Sequence, residues 1–182
     1  DSSSITKDKN PIAFRPEQEQ AIKETLKCFK TGNKMLWNAK MRFGKTLCAL
    51  QVAKEEGFKS TIILTHRPVV SDGWYEDFGK IFYDKPDYEF ASKTKGKTIS
   101  ELEKEGKNFV YFASIQDLRG ASAVGGKFNK DDEIYDHDWD FVVVDEAHEG
   151  TQTDLGKKVI NQVISGKTKK AKLLELSGTP FN

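Results

Sequence analysis

The chain has 182 residues, 37% hydrophobic and 31% charged, with a formal net charge of +1 from 29 Lys and Arg against 28 Asp and Glu. That length suits one compact domain with its own core, and the composition describes a globular protein with a heavily charged surface rather than a disordered or membrane chain. The longest apolar runs, such as residues 141–144, fall far short of the ~20 residues of a membrane span, and near-neutral charge neither requires nor rules out a nucleic-acid partner, because a few local contacts can carry phosphate binding.

Residues 1–13 are polar and aperiodic and read as a loose lead-in to one domain over 14–182. A helix is predicted from Pro16: proline suits the first helical position, Glu17 and Glu19 favour the positive end of the dipole, and Ile22, Leu26 and Phe29 form one apolar stripe that Gly32 ends. Strands and helices then alternate: a strand at 35–37, a helix at about 45–55, a strand at 61–64, a helix at 69–78, strands at 109–112, 141–144 and 173–176, and a helix at 155–164 between the last two. Short apolar strands separated by helices predict an α/β fold, a mostly parallel sheet with helices on both faces. The stretch 120–138, with Gly125-Gly126 and a run of acids, breaks the pattern and reads as a mobile loop or insertion.

Several conspicuous residues read as packing or solvated surface. Cys28 and Cys48 fall within helical patterns at spacings that do not suit zinc, as buried free thiols would. Trp74 reads as core. Lys93, Lys95 and Lys97, and the group Lys167, Lys169, Lys170 and Lys172, read as solvated runs. Asp131, Asp132, Asp136, His137 and Asp138 lack regular metal-ligand spacing. No charged-then-apolar leader opens the chain and the expected location is the cytoplasm; a start at Asp1 and a stop at Asn182 suggest a piece of a longer protein.

Two segments carry chemistry. Ala39-Lys40-Met41-Arg42-Phe43-Gly44-Lys45-Thr46 lies between a predicted strand and a predicted helix, where backbone N–H groups at a helix start can cradle the β- and γ-phosphates of a nucleotide. Lys45 would add a point charge to those phosphates and the Thr46 hydroxyl would ligate Mg2+. Ala39 stands where the strict phosphate-loop pattern has glycine, and an ordinary strand-to-helix turn is the plain alternative. The second segment is the apolar run Val142-Val143-Val144, which ends abruptly in Asp145 and Glu146. In open parallel sheets ligands bind beyond the carboxyl ends of the strands, so Asp145 could hold the hydration shell of Mg2+ and Glu146 could orient and deprotonate the water that attacks the γ-phosphate.

Asp145-Glu146-Ala147-His148 resembles the DEAH box of superfamily-two helicases and translocases, and the loop ending at Lys45 and Thr46 resembles their motif I. Residues 14–22, Phe-Arg-Pro-Glu-Gln-Glu-Gln-Ala-Ile, are similar to the glutamine-bearing segment before motif I, and the resemblance implies that Arg15 and Gln18 lie at the nucleotide, with Gln18 on the adenine edge. Ser177-Gly178-Thr179-Pro180 resembles motif III, whose hydroxyls on Ser177 and Thr179 would connect His148 to the nucleic-acid side. Thr65-His66-Arg67-Pro68 and Ser114-Ile115-Gln116 resemble motifs Ia and Ib, which implies backbone contacts through Arg67, Ser114 and Gln116. The motifs run in order from Phe14 to Pro180 and look closest to motor subunits of type III and type I restriction enzymes.

The resemblance implies an N-terminal RecA-like motor domain that binds ATP and Mg2+ and, in the intact protein, hydrolyses ATP to translocate along DNA rather than RNA. It also implies a second motor domain beyond this chain, methyltransferase, specificity or nuclease partners, and an isolated chain that is nearly inactive. A P-loop kinase would share Lys45 and Thr46 but not the DEAH box. An RNA helicase would share every motif, and a regulatory ATP-binding module would have no use for Glu146.

Overall fold

The computed structural model describes residues 13–38, 44–66, 71–145 and 153–177. Six strands, β1 (Lys34–Asn38), β2 (Ser60–Thr65), β3 (Tyr88–Ser92), β4 (Asn108–Ser114), β5 (Phe141–Val144) and β6 (Lys172–Ser177), form one sheet in the order β1-β6-β5-β2-β4-β3. Every pair is parallel, so all six carboxyl ends meet one edge of the sheet. This is the predicted α/β architecture, and it is RecA-like in its arrangement of helices about a parallel sheet.

The helices are α1 (Pro16–Thr31), α2 (Lys45–Glu56), α3 (Ser71–Ile81), α4 (Ile99–Lys104), α5 (Ile115–Leu118), α6 (Asp132–Tyr135) and α7 (Asp154–Ser165). Side chains alternate along each strand and divide the core in two. Ile63, Val110, Phe112 and Val143 face the layer of α1, α2 and α3, with Ile22, Phe29, Leu50 and Trp74. Ile62, Leu64, Tyr111 and Val142 face the layer of α4 to α7, with Leu102, Ile115, Tyr135 and Val159. Both sheet faces are covered, which is why the strands read as unbroken apolar runs.

Local chemistry sets the helix ends. At α1 the Arg15 N–H donates to Gln18 Oε1 (2.8 Å), Pro16 opens the helix, and the Gly32 N–H closes it on the Cys28 carbonyl (2.8 Å). Helix α4 is framed by a capping box, with Thr98 accepting from the Glu101 N–H and Glu101 from the Thr98 N–H; Thr153 caps α7 through the Gly156 N–H.

Three sequence expectations need correction. Strand β3 and helix α4 went unforeseen, although the partial alternation of Tyr88-Glu89-Phe90-Ala91-Ser92 and the Thr98–Glu101 spacing encode them. Residues 120–138 are no irregular loop. They hold a 3-10 turn at Ser122–Val124, an Ala121–Phe128 bridge and α6, and they bury Ala121, Val124, Ile134 and Tyr135. The Tyr135 hydroxyl donates to the Leu118 carbonyl (2.7 Å) and the Trp139 indole N–H to the Ile134 carbonyl (2.9 Å). Those few large side chains anchor the segment. Cys48 is fully buried, its thiol pushed up to about 12 by burial, but Cys28 is only half-buried and donates to the Lys34 carbonyl.

Candidate functional site

Parallel pairing gathers the two chemistry-bearing segments. Asn38 is in register with Ser177 at the ends of β1 and β6, and Val144 is in register with Leu64 on one side and Glu175 on the other. Asp145 therefore leaves β5 in the middle of the carboxyl edge, where its N–H donates to the Leu64 carbonyl (2.8 Å). Lys45 starts α2, the helix that follows β1, and its Nζ stands 3.4 Å from Asp145 Oδ1. The two side chains are 9% and 10% exposed. An ion pair this shielded from water contributes little net stability, so its chemical interest lies in what else the ammonium could hold: it stands at the positive end of a helix, where an anion would find both a charge and backbone N–H donors.

The helix start itself is tightly built. Gly44 has φ +75°, and a Cβ there would stand 2.6 Å from Gln18 Nε2. Only glycine satisfies both the left-handed backbone and the close approach. Gln18 is buried, with Oε1 on the Arg15 N–H and Nε2 against Gly44, so α1 buttresses the helix start directly. The Arg15 guanidinium is half-exposed, 3.4 Å from Glu17 Oε1. The Thr46 hydroxyl donates to Asp77 of α3. Asp77 escaped sequence reasoning, yet a signal was present: in α3, whose apolar side carries Trp74, Phe78 and Ile81, it falls three residues after Trp74 and four before Ile81, a carboxylate on the flank that packs against α2.

A hydroxyl and carboxylates form a hard oxygen set of the kind Mg2+ prefers, and Mg2+ is usually held by one or two protein groups plus water and phosphates. The residues at this edge fit that ion. Among the described residues no group of three or more His, Cys, Asp or Glu side chains could hold a metal by itself.

At the other end of the same edge, a cleft of about 490 Å3 lies among Ser92, Lys93, Thr94, Phe112, Ser114, Gln116 and Asp117. Gln116 is exposed there, whereas Ser114 is buried and its hydroxyl accepts the Asp117 N–H as the cap of α5. Lys93 is no solvated lysine: its Nζ lies 2.5 Å from both Asp117 Oδ2 and Asp131 Oδ1. Burial works against its charge, but the two carboxylates outweigh it and raise its pKa. Lys130 adds contacts at 3.1 Å to Asp117 and 3.9 Å to Asp131, whose side chain is only 3% exposed. Lys97 is likewise paired, with Glu89 and Glu105. Ser177 ends β6 in register with Asn38 of β1. Ala39, Lys40, Met41, Arg42, Phe43, Arg67, Glu146, His148 and Thr179 lie outside the described residues.

The model of the type III restriction enzyme res subunit family matches residues 11–182. A Mycoplasma pneumoniae protein described as the C-terminus of a type II restriction enzyme and methyltransferase is 28% identical over 170 residues, which cover 86% of this chain and 23% of the relative. The chain thus spans about a quarter of that relative's length. Among solved structures, the SWI2/SNF2 ATPase core of Sulfolobus solfataricus in complex with dsDNA superposes with a TM-score of 0.68 at 22% identity, over 93% of this chain and 32% of the other. The Hef helicase domain of Pyrococcus furiosus gives 0.65 at 18%, over 92% and 34%. The type ISP restriction-modification enzyme LlaGI, in complex with a DNA substrate mimic, gives 0.57 at 17%, over 93% and 18%. The likeness to these structures is one of fold, that of helicase cores. The family-model match extends over nearly the whole chain and includes both the Lys45 helix start and the Asp145 strand end: the chain belongs to the type III restriction enzyme res subunit family.

Proposed function

We propose that this domain binds ATP with Mg2+ at the β1–β6–β5 end of the carboxyl edge and drives translocation along DNA in the intact protein. The observation that carries the reading is the shielded Lys45–Asp145 pair at the start of α2, behind a glycine that admits no side chain. In this reading Lys45 takes the β- and γ-phosphate oxygens as partners, and the backbone N–H groups at the helix start share the load. Thr46 and Asp145 would hold Mg2+ with its water shell, and the ion would supply charge neutralisation at the phosphate oxygens. Glu146 orients the attacking water and accepts its proton as the β–γ bridging oxygen leaves with the bonding pair. Gln18 serves the site by supporting Gly44, with the adenine edge within the scope of the same α1 terminus. His148, Ser177 and Thr179 couple hydrolysis to the nucleic-acid side, which Arg67, Ser114 and Gln116 line.

DNA is favoured over RNA because the family is one of restriction enzymes and because similar folds have been solved with DNA. A second motor domain of the intact protein supplies the arginine that such motors reach across the cleft, worth ~10³ to 10⁵ in rate, so the present domain alone turns over very slowly. Restriction partners, a methyltransferase or nuclease function, fit the relative described as a restriction enzyme and methyltransferase. The test is titration of the full-length protein with a fluorescent ATP analogue, followed by phosphate release with duplex DNA, single-stranded DNA and RNA as separate activators. Lys45→Ala is expected to abolish tight binding, and duplex DNA to activate best. Unchanged affinity in a folded Lys45→Ala variant removes the nucleotide site, and activation by RNA alone replaces the DNA motor with an RNA motor.

A further inference from the structure

We infer that Asp77 is a positioning residue for Mg2+: it holds the Thr46 hydroxyl so that the oxygen lone pairs are presented to the cation. The inference rests on the nucleotide-site reading and adds to it a residue that none of the motifs contains. A threonine hydroxyl has one hydrogen and two lone pairs. Unless the hydrogen is anchored, the hydroxyl rotates and presents its proton to an incoming cation as readily as its lone pairs. In this fold the hydrogen is directed to the Asp77 carboxylate, which leaves the lone pairs facing away from Asp77 and makes the oxygen a richer donor.

The placement is supported on both sides. Thr46 is the second residue of α2, whose start is fixed by Gly44 and Gln18. Asp77 lies on α3, anchored by Trp74 at 1% exposure and Ile81 at 2%. The packing of α3 on α2 is among the most extensive helix contacts in the domain. Two helices packed on one another therefore set the hydroxyl's direction. Carboxylates that support metal-ligating groups in this way are typically worth 10- to 100-fold in metal affinity.

The experiment uses the full-length protein and a fluorescent ATP analogue, titrated in Mg2+ and separately in EDTA, with thermal unfolding to check each variant. Asp77→Ala is expected to weaken binding ~10- to 100-fold in Mg2+ and to leave binding in EDTA unchanged, with a higher Mg2+ concentration needed for half-maximal binding. Asp77→Asn, which keeps a neutral acceptor for the hydroxyl, should fall between Asp77→Ala and wild type. In the Thr46→Ala background, Asp77→Ala should add nothing, because its only route to the metal is gone. Equal weakening in Mg2+ and EDTA would make the contact merely structural and overturn the inference, as would wild-type Mg2+ dependence in Asp77→Ala. An Asp77→Asn variant as impaired as Asp77→Ala, and worse than Thr46→Ala, would make Asp77 itself the ligand. Lys45→Ala separates the two readings: if it abolishes binding while Asp77→Ala is neutral, only the positioning role falls, and if it has no effect the nucleotide site falls and this inference with it.

Discussion

The two ends of the carboxyl edge use the same residue types to opposite effect. At the β1–β6–β5 end, one shielded lysine faces one carboxylate at the start of a helix, and a hydroxyl is turned by a second carboxylate. At the β4–β3 end, Lys93 and Lys130 are matched by Asp117 and Asp131, which come from α5 and the start of α6. Burial pushes the Asp117 carboxyl up, yet the two ammonium groups outweigh it and hold it below the usual carboxylate range. The second cluster is neutralised from within the domain and staples residues 117–132 to the β3 end, so a run of lysines in the sequence is no phosphate grip by itself. Both ends pair lysine with carboxylate, and what sets the first apart is its place at a helix start, where an anion meets backbone N–H donors as well as a charge.

This contrast predicts that damage at the first end appears in ligand binding and turnover, and damage at the second in stability. The largest effect is expected from Glu146→Gln in the full-length protein: turnover falls by a factor on the order of a hundred or more while nucleotide affinity and unfolding midpoint stay unchanged. Near-normal turnover would assign water activation to another residue. Lys93→Ala should cost about 2 kcal/mol, because Asp131 is left almost fully buried with Lys130 as a more distant partner at 3.9 Å. Urea unfolding measures this as a lower midpoint at unchanged slope, and nucleotide affinity should stay within about twofold; a binding defect without a stability loss would abolish the distinction between the two ends.

The smallest effect concerns His137, away from both clusters, whose ring packs on Trp139 at 4.5 Å and whose Nδ1 lies 3.4 Å from Glu103. Burial lowers its pKa, with Glu103 opposing. The unfolded chain therefore binds more protons below about pH 6.5, and stability is expected to fall from there downward by at most about 1.4 kcal/mol per pH unit until the folded ring protonates. His137→Gln should flatten the midpoint between pH 6.5 and 5. A slope identical to wild type would place the acid sensitivity on other groups.

Much of the β1–β6–β5 end was legible because its signals are local. Apolar strand, glycine, lysine and hydroxyl follow one another within a few residues at 35–46, and Val142 to Glu146 announces a buried strand that ends in charge. The ends of α1 were legible for the same reason, since Pro16 and Gly32 act on backbone groups within four residues of themselves. Contacts between distant segments carry no such mark. Thr46 and Asp77 are 31 residues apart, and Lys93 and Asp117 are 24 apart. Ser114 shows the limit from the other side: its position after a strand did not announce that its hydroxyl caps α5 by accepting the Asp117 N–H.

The sequence by itself determined the alternation of strands and helices, and with it a parallel sheet whose carboxyl edge carries Lys45, Thr46 and Asp145, because hydrophobic periodicity and turn residues act over short spans. It also determined the family resemblance, through the order of its motifs. Only the tertiary structure decided which charges meet. The sheet order β1-β6-β5-β2-β4-β3 brings β1, β6 and β5 together across more than a hundred residues of chain, and packing of α3 on α2 sets Asp77 against Thr46. Ionic and hydrogen-bond partners are chosen by distance in space and by exclusion of water, and neither is encoded in sequence separation.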